Sequence, residues 1–178
     1  MSLKELTADL HDQAENTAFM KAVFAKSLPK DTWINWTYQK TLIYNIIEDA
    51  AGRCGVLDDI DSIRRSKRLY DDYMGMTDNK VCHFYLEPTL DYYKYLTTIV
   101  NDTRRMIAHL YVWHMGDLFG GQMIKKITPG PHTSLEFDNV VELKTLIRNK
   151  LHDDMAQEAR IAFQWAIKIM DKLYDDMG

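Results

Sequence analysis

Apolar residues recur at three- and four-residue spacing along almost the whole chain, a pattern that predicts helices and little else. Leu3, Leu6, Leu10 and Ala14 open the series, with Ser2 as the expected cap and Glu5 placed to complete a capping box. A second helical stretch covers residues 17–26 and stops at Ser27-Leu28-Pro29. Asp31 or Thr32 is then expected to cap a long helix that runs through Trp33, Tyr38, Leu42 and Ile46 to about Ala51, closed by Gly52 and Gly55. Residues 58–76 read as one or two short helices. Pro88 suits the first position of the next helix, through Tyr92, Tyr95 and Ile99. Thr103 is the expected cap of another over 104–127, Pro129-Gly130-Pro131 makes a loop, and two last helices cover 135–151 and 155–177. No strand alternation persists and no repeat appears. The pattern specifies one all-α domain over residues 1–178.

Composition narrows the function. With 178 residues, 46% hydrophobic and 27% charged, the chain can bury a real core. A net charge of −4 argues against a general nucleic-acid binder, which needs excess cations to neutralise phosphates. Cys54 and Cys82 stand alone, so neither a disulfide framework nor a zinc site is expected and a reducing cytoplasm is the simplest compartment. Acidic and polar residues run through residues 1–26, which do not read as a signal peptide. No apolar run approaches the roughly 20 residues that cross a bilayer. A soluble, cytoplasmic protein without a membrane partner is the expectation.

The segment Ala108-His109-Leu110-Tyr111-Val112-Trp113-His114-Met115-Gly116-Asp117-Leu118-Phe119-Gly120-Gly121-Gln122 departs from ordinary helix composition. Each interior glycine costs a helix about 1 kcal/mol relative to alanine, so the three together need an offsetting reason. Gly116 and Gly120 share one face, and Trp113, Asp117 and Gly121 the adjoining stripe. A flat ligand could lie against bare backbone there with a carboxylate beside it; close packing of another helix, or a helix end at Gly120-Gly121, would explain the glycines equally well. In the first helix, His11 and Glu15 are one turn apart, so the carboxylate could orient the imidazole. A neutral imidazole is a standard axial ligand of heme iron, although a lone helical histidine is commonly a surface or core residue. No HExxH pairing occurs, which disfavours a di-iron bundle. His83, His109, His114, His132 and His152 are expected to be structural or surface residues, His114 being the exception by its place in the glycine segment. Tyr92, Tyr93 and Tyr95, like Trp33 and Trp36, read as core packing.

Two segments together resemble the heme oxygenase family. The first is Leu3-Lys4-Glu5-Leu6-Thr7 through His11, then Gln13-Ala14-Glu15-Asn16 to Phe19-Met20; the second is the glycine segment from Ala108 to Gln122. They match the family's proximal and distal helices in order and separation, and the likeness of pattern extends to Ala162-Phe163. The resemblance implies a multi-helical domain with heme between those two helices. It implies iron ligation by His11, with Glu15 beside it. It further implies propionate contacts from Lys4, Tyr111, Lys144 and Arg148, and Phe163 lining the heme site. Gly116, Gly120 and Gly121 would let the distal helix bend over the ring, and Asp117 would organise distal waters that deliver protons. Lys144 and Arg148 are one turn apart, a spacing that suits a paired clamp on a carboxylate and equally a solvated helix face. Heme would be both cofactor and substrate, consumed with O₂ and electrons from an external donor to give biliverdin (IXα), CO and ferrous iron. Three departures bear on pocket shape and regiochemistry. Phe119 stands where serine is common, Trp113-His114 replaces an Arg-Tyr pair, and Ala8 lacks a lysine that some members carry.

Basic clusters at Arg64-Arg65-Ser66-Lys67-Arg68, Arg104-Arg105 and Lys125-Lys126 suit either a solvated surface or docking of an acidic electron donor such as a ferredoxin. A bilin reductase is the expected downstream partner. Two rival functions stay open: a heme-binding or storage module without turnover, suggested by Phe119 and Trp113, and a thiamin-degrading type of helical enzyme with a cysteine nucleophile, for which Cys54 and Cys82 lack an activating neighbour.

Overall fold

Ser2 starts the first helix, α1 (Leu3–Leu6), by the expected capping box: its hydroxyl accepts from the Glu5 amide and Glu5 accepts from the Ser2 amide at 2.7 Å. Thr7 leaves helical geometry and donates its hydroxyl to the Leu3 carbonyl at 2.9 Å, separating α1 from α2 (Ala8–Glu15). Thr17 caps α3 (Ala18–Phe24) through the Met20 amide. This is a computed structural model, which describes residues 1–177.

The central helix is α4 (Lys30–Arg53). It starts earlier than expected, and neither Asp31 nor Thr32 caps it. Pro29 already has a helix-entry φ and its carbonyl accepts from the Trp33 amide at 3.2 Å, so the turn closes before Asp31 is reached. Asp31 instead meets His83 Nε2 at 3.1 Å. After a short 3-10 turn at Asp61–Ile63 come α5 (Ser66–Met76) and α6 (Glu87–Thr97), the latter with Pro88 in its first turn and Ile99 just beyond its end. The glycine segment lies in α7 (Thr103–Ile127), which is unbroken through Gly116, Gly120 and Gly121. Its cap is Asp102 rather than Thr103, with the Asp102 carboxylate accepting from the Arg105 amide at 3.1 Å. Two further helices are α8 (Val140–Arg148) and α9 (Ala156–Asp175).

The expected helix over 135–151 is shortened at its start. The Asp72 carboxylate accepts from the Thr133 and Ser134 amides, fixing a 3-10 turn at Thr133–Leu135, and Phe137 lies under the Arg65 guanidinium. These tertiary contacts override local periodicity until Val140. Across the core, α4 packs against α5, α6, α7 and α9, while α9 also meets α2, α3, α6 and α7. Phe19, Ile43, Ile47, Tyr92, Leu96, Met106, Leu110 and Ile169 fill the space between them. No helix among the described residues is long and apolar enough to cross a membrane.

Candidate functional site

Helix α7 presents two contrasting strips. On the outer strip, Gly116 is exposed and Gly120 half-buried, and a Cβ added at either would meet nothing within 4 Å. The backbone there is bare and the space in front of it open. Gly121 is different: it is buried, and its Cβ position lies 3.5 Å from the Leu135 side chain. Gly121, on the adjoining stripe, therefore faces the 3-10 turn at Thr133–Leu135 rather than the open side.

Asp117 sits at the border of the two strips, about one-eighth exposed. Its Oδ1 accepts from Lys40 Nζ at 3.1 Å and its Oδ2 from the Tyr44 hydroxyl at 2.6 Å, with the Trp113 carbonyl also 2.9 Å from that hydroxyl. Burial pushes the Tyr44 phenol well up, and the Asp117 charge adds to it, so Tyr44 stays a donor. Trp113 and His114, the unusual pair before the motif, both turn inward. Trp113 donates its indole N–H to Tyr92 at 3.0 Å, and His114 meets Glu48 at 2.8 Å through Nε2. His114 is thus a core residue. His109 is also fully buried, between the Tyr92 hydroxyl at Nδ1 and Glu158 at Nε2, with Tyr95 donating to the same carboxylate. Burial pulls His109 below its ordinary value against the pull of Glu158. In Glu158 burial acts upward, but the bonds from His109 and Tyr95 prevail and hold it low. A neutral His109 donating to an ionised Glu158 satisfies both directions.

The remaining expected site residues gather around α2, α8 and α9. His11 is exposed, and no described residue hydrogen-bonds either ring nitrogen; Glu15 Oε1 is 3.6 Å from Nε2 and Asp12 Oδ1 is 4.0 Å from Nδ1. These three form the only His/Cys/Asp/Glu group among the described residues with metal-ligand spacing. Phe163 of α9 meets the His11 ring edge-on, centroids 5.9 Å apart. Burial raises the Tyr111 phenol above its ordinary value, opposed by the Thr7 hydroxyl and the Arg148 charge. Lys144 and Arg148 lie over the exposed Phe119 ring, 4.0 and 5.4 Å from its centroid, and neither pairs with a carboxylate among the described residues. Lys4 is exposed on α1. The basic cluster at 64–68 is partly corrected: Arg65 is buried, and Arg64 and Lys67 pair with Asp61 and Asp71.

Sequence reasoning missed Lys40, Tyr44, Glu48 and Glu158, whereas Tyr92, read as core packing, is buried in the core. One signal could have found three of them. Lys40, Tyr44 and Glu48 repeat every four residues along the otherwise apolar stripe of α4, where a buried polar side chain needs a partner.

A model of the family described as heme oxygenase matches residues 1–140, most of the chain. A heme oxygenase of Rhodella violacea is 27% identical over 97% of this chain and 86% of its own length. Heme oxygenase 2 of Rattus norvegicus is 25% identical over 96% of this chain, which spans only 64% of that protein. The fold matches the crystal structure of heme oxygenase-1 from the cyanobacterium Synechocystis in complex with heme, with a TM-score of 0.86 at 20% identity, covering 98% of this chain and 91% of that one.

Proposed function

The chain belongs to the heme oxygenase family, and on that premise we propose that it cleaves heme, with O₂ and electrons from an external donor, to biliverdin, CO and ferrous iron. One observation carries the reading. The outer face of α7 is stripped of side chains at Gly116 and Gly120, beside a pinned Asp117 and two cations without carboxylate partners.

The residues present fit a porphyrin. A planar apolar ring needs close approach to backbone, which the two glycines permit. Its metal needs an accessible imidazole, and His11 is exposed with neither ring nitrogen hydrogen-bonded by a described residue. Its two carboxylates need cations; Lys144, Arg148 and Lys4 supply them, with the Tyr111 phenol as a further donor. When bound, heme supplies the iron that activates oxygen and the ring that is opened.

The chain's own residues then bind, orient and move protons. His11 would hold the iron through a ring nitrogen, with Glu15, 3.6 Å from Nε2, placed to steady the imidazole. Phe163 packs edge-on to that ring and limits its rotation. Asp117 has one bond on each oxygen and therefore keeps lone pairs free for water, from which protons pass along the open side of α7. The Gly116–Gly120 face and the Lys144–Arg148 pair would together orient a bound porphyrin, a positioning effect. A ferredoxin or another acidic donor docks on exposed cations such as Lys126, and a bilin reductase takes the product.

The test is optical. Heme-loaded protein given reductant and air should exchange its Soret band for bilin absorption, with product chromatography giving the isomer. His11→Ala should lose the imidazole signature with folding unchanged. A Soret band that persists through turnover conditions, or a His11→Ala spectrum identical to the parent's, would overturn the reading.

A further inference from the structure

Lys40 is an anomaly on α4. Its neighbours on the stripe, Trp36 and Tyr44, are buried, and its own side chain is only one-tenth exposed. A lysine in such a place needs a partner, because an ammonium without one is expensive to desolvate. The partner is Asp117 Oδ1, 77 residues away in the chain and 3.1 Å away in space. Two aromatic faces complete the surroundings, with Nζ 5.1 Å from the Tyr44 ring centroid and 5.8 Å from that of Trp36.

The arrangement does more than neutralise. Oδ1 is taken by Lys40 and Oδ2 by Tyr44, both from α4. A carboxylate with a single bond can swing about χ2; one held on each oxygen by the same rigid helix cannot. No other cation lies within ion-pair distance of Asp117 among the described residues. Trp113, one turn earlier on α7, is uncharged and turned toward Tyr92, so that position offers Asp117 no cation. The carboxylate borders the open face at Gly116 and Gly120, so its orientation sets where its free lone pairs meet solvent or ligand.

We propose that Lys40 is a positioning residue for Asp117, its buried ammonium and the Tyr44 hydroxyl locking the carboxylate in one orientation toward the Gly116–Gly120 face. This rests on the heme-cleaving reading for its consequence, though not for its geometry. Replacing Lys40 should therefore leave heme uptake intact and slow the opening of the ring, and an arginine should recover much of the rate because it restores a donor with positive charge.

The geometric arm uses the heme-free chain. In ¹H–¹⁵N spectra of the lysine ammonium groups, Lys40 should give a slowly exchanging signal that is absent from solvent-exposed lysines, and Asp117→Asn should abolish it. No such signal, or one indifferent to Asp117→Asn, overturns the proposal even if the protein turns heme over. The functional arm compares Lys40→Met with Lys40→Arg. The methionine variant should bind hemin within about twofold of the parent and form bilin at least tenfold more slowly, while the arginine variant should return to within about threefold. Parent-like turnover by Lys40→Met, or failure of arginine to restore it, sinks the positioning role. Should Lys40→Met not fold, Lys40→Arg and Tyr44→Phe keep the test open: Tyr44→Phe, which frees Oδ2, must slow bilin formation without weakening hemin uptake, and unchanged rates overturn the proposal. A parent that makes no bilin refutes the heme-cleaving reading instead, and leaves the ammonium signal to decide on Lys40.

Discussion

On the core side of α7, polar side chains are matched one to another. Trp113 donates to Tyr92, Tyr92 to His109, and His109 to Glu158, which also accepts from Tyr95. His114 reaches Glu48, which holds the Arg65 and Ser66 amides as well; Nδ1 of His114 and Nε of Arg65 are the exceptions that lack a partner there. On the outer side the polar groups are left unmatched. Two glycines offer no side chain, Phe119 stands exposed, and Lys144 and Arg148 lie on its ring with no carboxylate. The His11 ring on α2 likewise makes no hydrogen bond among the described residues, with Glu15 3.6 Å from its Nε2. The difference separates two uses of polarity on one helix. Matched groups specify the fold, because each deletion strands a buried partner. Unmatched groups at the surface add almost nothing to stability and await a ligand.

The largest effect that would break this contrast lies in the matched network. Glu158→Leu leaves the His109 Nε2–H and the Tyr95 hydroxyl without their acceptor, and unsatisfied buried donors cost about 1–3 kcal/mol each. Urea denaturation should show a loss of about 3 kcal/mol, and a change below about 1 kcal/mol would mean the network is not what specifies the fold. Acid should act on the same groups. Glu48 is pulled up by burial but more strongly down by His114 and the Arg65 and Ser66 amides, and Glu158 and His109 are also held low. With folded values depressed, the unfolded chain binds more protons as pH falls. Stability is then fully present above about pH 6.5, the ordinary histidine value, and declines through the carboxylate range. Urea midpoints taken from about pH 7 to about pH 4 should fall throughout; a rise on acidification would contradict these directions.

How far this contrast was legible in the sequence depends on the range of the interactions involved. Ser2 and Glu5 are three residues apart, so their capping box could be read directly. Helix spacing and the odd density of glycines in α7 were equally local. Lys40 and Tyr44 were not, since their partner Asp117 is 77 and 73 residues away and only the packing of α4 on α7 joins them. The shortened α8 has the same origin, because Asp72 of α5 holds Thr133 and Ser134 out of the helix that periodicity favours. Gly121 illustrates the limit within a single motif. Its spacing puts it on a different stripe from Gly116 and Gly120, but only the fold shows what covers that stripe: the turn at Leu135 meets Gly121 and leaves the other two bare.

That split among the glycines gives a mid-sized test. Alanine at Gly116 meets no atom within 4 Å, so the heme-free protein should gain about 1 kcal/mol from helix propensity alone. Hemin uptake should weaken, because the added methyl stands on the face a porphyrin would cover. Gly121→Ala places its methyl in ordinary contact with Leu135, so it should leave uptake unchanged. Equal effects of the two substitutions on uptake would erase the distinction between the strips.

The smallest stability effect and the finest discrimination come from α8. Lys144 and Arg148 stand over an exposed ring, where a cation–π contact contributes about 0.5–1 kcal/mol, and neither makes an ion pair among the described residues. Alanine at Lys144 or at Arg148 should therefore change the heme-free unfolding energy by no more than about 0.5–1 kcal/mol. If these cations are kept for carboxylates of a ligand, the double substitution should weaken hemin binding several-fold at low salt and flatten its dependence on ionic strength, since screening acts only on charge that is present. Phe119→Ser separates the two roles of the ring. It removes the platform but spares the cations, so hemin binding should keep its salt dependence. If instead the salt dependence vanishes with the ring, the phenylalanine is what aims the pair. If affinity is indifferent to the double alanine substitution, the unmatched charges of α8 belong to the solvated surface, and the open face of α7 must orient its ligand by shape alone.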